Sequence, residues 1–296
     1  MAILQESHRW HVYPPAQTFD PATFFSNLRS RLGKSGCILA GFDFPIGLPY
    51  QYAAKTGLND FLTLLPLLGH AEWSRFYDPA EIPDQISLYR PFYPLKSGNA
   101  RRSHLEQGLG LSFSQLFRLC EIAHENRRAA CPLFWTLGGQ QVGKAAIHGW
   151  KHLLIPALEQ PQLRLKLWPF SGSFSDLCLP GNIIVVETYP AEYYSHLGIF
   201  QPGDRMSKRK QSGRKYYTEK LISLSDRLNL DLDPGVISAI QDGFGDFLDS
   251  EDRFDALVGL YGMINVVQAN HPNGEPVPSR IAKIEGWIFG QAQLER

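Results

Sequence analysis

Cys37-Ile38-Leu39-Ala40-Gly41-Phe42-Asp43 is an unbroken apolar run closed by an acid. An apolar stretch without polar alternation suits the centre of a sheet, where both faces are covered. Phe44-Pro45-Ile46-Gly47-Leu48-Pro49 then turns the chain away. Ile183-Ile184-Val185-Val186 repeats the pattern and ends at Glu187. Working outward, Asp20-Pro21 reads as a helix cap followed by proline at the first helical position, with Phe24, Phe25, Leu28 and Leu32 at helical spacing and Gly33 as the stop. Short strands are expected at 8–13, 132–137 and 163–168. Helices are expected near 112–126, 144–158, 214–228, 234–248 and 250–268. Interleaved strands followed by helices predict an α/β fold with a mixed sheet flanked by helices. Residues 50–130 read as a largely helical insertion after the Asp43 strand, within a single domain spanning 1–296.

Composition sets the bounds. The chain has 296 residues, 44% hydrophobic and 20% charged, which excludes a disordered chain, a collagen or a coiled coil. Basic and acidic residues number 29 each, so net charge neither requires nor forbids a nucleic-acid partner. The four cysteines, at 37, 120, 131 and 178, form no C-x-x-C pair and are too few for a disulfide scaffold. Cys37 reads as a buried thiol. Met1 to Trp10 does not read as a secretory signal, and no apolar run approaches the roughly 18 residues that span a bilayer. The expected compartment is a reducing cytoplasm, with no membrane partner.

Two apolar strands each ending in a carboxylate place Asp43 and Glu187 at the rim of a sheet, where α/β proteins build their chemistry. Asp252 and Asp255 lie three apart and share a helix face, which Gly259 and Gly262 continue. Small residues there would let the helix approach the sheet closely. Clustered carboxylates repel unless a proton or a cation intervenes, and oxygen-only ligands suit magnesium or manganese. Two such ions can activate water against a phosphodiester. Taken singly, Asp43 also fits a turn, and Asp249, Ser250 and Asp252 fit the cap and first turn of a helix.

Gly41-Phe42-Asp43-Phe44-Pro45-Ile46-Gly47-Leu48-Pro49 resembles the D-x-P-x-G-x-P signature of a family of uncharacterised proteins with a predicted ribonuclease-H-like fold. Gln141-Val142-Gly143, Leu167-Trp168-Pro169-Phe170, Val186-Glu187-Thr188-Tyr189-Pro190, Asp252-x-x-Asp255-Ala256 and Glu285-Gly286-Trp287-Ile288 follow in the family's order, from about residue 38 to 290. The family is described as predicted nucleases. By analogy with RuvC-type resolvases, the resemblance implies that Asp43 is the fourth-strand acid and that Asp252 and Asp255 are the helical pair. Glu187 matches the family's own fifth-strand glutamate. The family's opening G-x-D-x-S strand has no counterpart here. Its absence would leave the Asp43 strand beside an exposed sheet edge, which favours a homodimer.

The expectation is a metal-dependent nuclease or phosphodiesterase. Asp43, Glu187, Asp252 and Asp255 are its catalytic residues, and Asp43, Glu187 and Asp255 hold Mg2+ or Mn2+. Arg205 to Lys215 carries six basic residues in eleven, of which Lys208, Arg209, Lys210 and Arg214 are expected to position DNA or RNA. The alternative is a non-catalytic protein on the same fold that binds nucleic acid or a protein partner. A third reading, a P-loop-like NTPase, rests on Gly138-Gly139-Gln140-Gln141-Val142-Gly143-Lys144-Ala145, where Ala145 lacks the magnesium-binding hydroxyl. His148 and His152 stand four apart without a third zinc ligand.

Overall fold

The computed structural model describes residues 1–4, 8–16, 20–96, 98–124, 127–137, 142–200, 206–276 and 279–293. Strands are β1 (Ala2–Leu4), β2 (Trp10–Val12), β3 (Ile38–Phe42), β4 (Leu165–Leu167), β5 (Ile183–Glu187) and β6 (Leu230–Leu232). Helices are α1 (Phe24–Leu32), α2 (Tyr50–Lys55), α3 (Phe61–Leu64), α4 (Arg102–Leu109), α5 (Val142–Gly149), α6 (Ile155–Leu158), α7 (Phe174–Leu177), α8 (Pro190–Leu197), α9 (Gln211–Tyr216), α10 (Thr218–Arg227), α11 (Pro234–Gln241), α12 (Ser250–Val267) and α13 (Ser279–Ile284). The fold is α/β, and among the described residues no helix is long and apolar enough to cross a membrane.

The chain divides into two compact units, one formed by Met1–Thr18 with Thr188–Asn273, the other by Phe19–Glu187 with Gly274–Arg296. The second unit holds a parallel sheet in the order β3-β5-β4. All five residues of β5 are buried, as its unbroken apolar sequence requires. Its core gathers the aromatics Phe61, Phe76, Phe92, Phe134 and Trp150. The Asp20 carboxylate accepts from Ala22 N at 3.0 Å ahead of α1, and Gly33 ends that helix at φ 71°. The first unit holds a mixed sheet, β1-β2-β6, with β2 antiparallel to β1 and parallel to β6. Tyr193, Tyr217, Phe254 and Tyr261 fill its core.

Several expected elements differ. Residues 112–126 are not one helix. Two short 3-10 turns, Phe113–Leu116 and Leu119–Glu121, flank Phe117 and Arg118, both in extended backbone. The expected strand at 132–137 reduces to a single bridge, Trp135 to Tyr93. The helix expected over 234–248 stops at Gln241, because Gly243, Phe244 and Gly245 all take positive φ. The helix expected over 144–158 is present but widens into a π turn at Trp150–Leu154 before Pro156. Proline removes an amide and would clash with the carbonyl four residues back, and the wider turn relieves both. Gly262 does bring α12 close to a neighbour, but that neighbour is α8: a Cβ on Gly262 would lie 2.3 Å from the Tyr193 ring.

Candidate functional site

Parallel pairing of β3 and β5 puts Phe42 opposite Glu187, so Asp43 leaves the sheet beside the carboxyl end of β5. Asp43 is exposed, whereas Glu187 is buried. Both Glu187 oxygens are engaged. Arg118 donates to Oε1 through Nη2 at 2.6 Å and to Oε2 through Nη1 at 2.7 Å, and Ile46 N donates to Oε2 at 2.7 Å. This is the fork geometry that makes arginine–carboxylate pairs strong. Arg118 has no exposed surface. Its Nε donates to Glu121 Oε1 at 2.8 Å, its amide to Glu121 Oε2 at 2.9 Å, and Nη1 also reaches the carbonyls of Glu285 and Ile46 at 3.1 and 3.2 Å. Glu285 in turn accepts from Tyr50 N at 2.9 Å and Leu119 N at 2.7 Å.

Local sequence explains the assembly. Gly47, at φ 130°, lies against the 285 backbone so tightly that a Cβ would stand 2.1 Å from Glu285 O. The turn after β3 therefore presents Ile46 N to Glu187. Burial alone would lower the Arg118 pKa, but Cys120, Glu121 and Glu187 outweigh it and hold the guanidinium well above its ordinary range. Burial raises the Glu121 carboxyl above its ordinary value, with Arg118 opposing.

The helical acids lie in the other unit. Asp255 on α12 accepts hydrogen bonds from Tyr194 Oη and Lys208 Nζ. Lys208 also faces Glu251 at 3.3 Å and sits 5.3 Å from the Tyr194 ring centroid. Burial raises the Asp255 pKa, against the lowering effects of Lys208 and Tyr194. Asp252 is exposed. Thus Asp43 and Glu187 come together on neighbouring strand ends, and Asp252 and Asp255 on one helix. Among the described residues no group of three or more His, Cys, Asp or Glu gathers as a metal site.

The basic segment divides similarly. Arg214 is 2% exposed and donates to three carbonyls, Lys208 O at 2.6 Å and Gly243 O and Gly245 O at 2.8 Å each. Lys215 pairs with Asp242 at 3.1 Å. Arg209 and Lys210 are exposed, and Arg205 lies outside the described residues. Of the P-loop-like segment, 138–141 also lie outside them. Gly143 on α5 allows close backbone packing, since a Cβ would meet Leu133 O at 2.7 Å. His148 and His152 are exposed, with ring centroids 5.0 Å apart.

Arg118 and Glu121 escaped the reading of the sequence as site residues, although Phe117-Arg118-Leu119-Cys120 is a signal: a charge inside an apolar run needs a buried partner. No family model, curated protein or solved structure matches the chain.

Proposed function

We propose that this chain is a ribonuclease-H-like protein that binds a nucleic-acid backbone without hydrolysing it. Register pairing of the Asp43 and Glu187 strands and the Asp-x-x-Asp pair on α12 support the fold reading. One observation carries the non-hydrolytic reading: the buried Glu187 is already neutralised from within by Arg118, and the half-buried Asp255 by Lys208. A metal at Glu187 would have to displace a fully buried guanidinium, and breaking such a pair costs about 3–5 kcal/mol. Arg209 and Lys210, the exposed cations of the basic segment, would meet the phosphates.

Manganese titration calorimetry on wild type and on Asp43→Asn/Asp255→Asn, with anisotropy on labelled single-stranded DNA and RNA, tests this. The expected result is no metal heat in either protein and salt-dependent oligonucleotide binding. Replacing Arg209 and Lys210 by alanine should reduce the salt slope by about 1–2. A metal-dependent nuclease is the second reading, favoured by the exposure of Asp43 and Asp252. Manganese binding and cleavage present in wild type and absent from the double variant would replace the first reading with it.

A further inference from the structure

Cys37 immediately precedes β3, and Cys178 follows α7 in the turn that leads into β5. They are 141 positions apart in sequence (178 less 37) and belong to no recognisable motif. Backbone bonds tie their two segments together on both sides of Cys37. Gly181 N donates to Gly36 O at 3.0 Å, and Ile38 N donates to Asn182 O at 3.0 Å. The turn carrying Cys178 is itself held, by Cys178 N to Phe174 O at 3.1 Å and Asn182 Nδ2 to Leu177 O at 2.9 Å. Within this frame Cys37 Sγ donates to Ile38 O at 4.0 Å, and Cys178 stands near enough to act electrostatically on the Cys37 thiol. Both are free thiols, Cys37 half-buried and Cys178 exposed.

We propose that Cys37 and Cys178 form a redox-active dithiol site that closes to a disulfide on reaction with a small-molecule disulfide such as oxidised glutathione. Cys178, the accessible sulfur, attacks as the thiolate. Its Sγ bonds to one sulfur of the small disulfide, and the other leaves as a thiolate. Cys37 then loses its proton to water, and its sulfur attacks Cys178 Sγ, displacing the second small thiolate. Two protein thiols are oxidised to one disulfide, and one small disulfide is reduced to two thiols. Burial pushes the Cys37 thiol up to about 12, its neighbour Cys178 adds to the rise, and Arg29 opposes it. Exposure divides the roles: Cys178 meets the small disulfide first, and the half-buried Cys37 resolves. The backbone pairing of Gly36 and Ile38 with Gly181 and Asn182, and the turn that closes Leu179 O on Asn182 N at 3.0 Å, hold the two cysteine-bearing segments side by side, as disulfide geometry requires. The bond would fasten the amino ends of β3 and β5.

The test treats the full chain with oxidised glutathione, unfolds it in urea with N-ethylmaleimide so that remaining thiols, the buried Cys120 included, are trapped, and reads intact mass and peptide maps. The expected outcome is loss of two of the four thiols, a Cys37–Cys178 linked peptide and no retained glutathione, with Cys120 and Cys131 alkylated. Cys37→Ser should trap glutathione on Cys178, and Cys178→Ser should leave Cys37 reduced. Four thiols surviving in wild type, glutathione held on Cys178 beside an alkylated Cys37, or a link through Cys120 or Cys131 would each overturn the proposal.

Discussion

A guanidinium with no exposed surface must have its charge answered inside the protein, and Arg118 does so through Glu187 and Glu121. Arg118→Met would leave both carboxylates buried and unpaired, so urea denaturation should show a loss of about 3–5 kcal/mol. His196 on α8 presents the opposite case, a residue kept neutral. Its ring stacks on His271 at 4.2 Å, Nδ1 faces Asn265 Nδ2 at 3.2 Å, and Nε2 is buried without a partner among the described residues. Burial first, then His271 and Arg227, lowers its pKa from 6.5 to about 3. The unfolded chain takes up a proton below pH 6.5 that the folded chain refuses until about 3. Stability should therefore fall as pH drops through that window, by at most about 1.4 kcal/mol per pH unit. Denaturation midpoints measured across it should show a steeper fall in wild type than in His196→Gln.

At the scale of elements, two glycines on α12 make opposite predictions. A Cβ on Gly262 would collide with Tyr193, whereas one on Gly259 meets nothing within 4 Å. Gly262→Ala should cost about 1–3 kcal/mol by forcing α8 and α12 apart. Gly259→Ala should gain up to about 1 kcal/mol, since alanine suits a helix better. Equal thermal shifts for the two variants would contradict this packing. The elements legible in the sequence were those whose signal is local. β3 and β5 are apolar runs, α1 has its Asp20-Pro21 entry and Gly33 exit, and α12 carries a long helical pattern. β6 was missed because Leu230-Asp231-Leu232 is three residues long and becomes a strand only by pairing with Trp10–Val12. The helix expected across 112–126 fails for a related reason. Arg118 takes extended backbone (φ −72°, ψ 157°) as its side chain enters the buried pocket of acids, a tertiary demand that local propensity does not register. In the same way the sequence exposed Glu187 as a buried strand-end acid but not the arginine, 69 residues away, that neutralises it.

Over the whole molecule, the first 13 residues supply two of the three strands in the mixed sheet of the first unit, including the fully buried Val12. A chain beginning at Asp20 would leave β6 with no strand to pair with. Hydrogen exchange should then accelerate across 188–273 while β3, β5 and β4 keep their protection. Uniform loss of protection in both units would contradict their separate cores. The same pairing bears on synthesis. Trp10 aligns with Leu230, 220 positions later (230 less 10). At translation speeds of about 5–20 residues per second, β2 leaves the ribosome roughly ten to forty seconds before its parallel partner exists. Until then β1 and β2 form at best a marginal antiparallel pair with both edges open, one of which β6 later covers. Strands β1 and β2 thus wait with an unpaired edge while the rest of the chain is made, and a slowdown in translation after they emerge would lengthen that exposure.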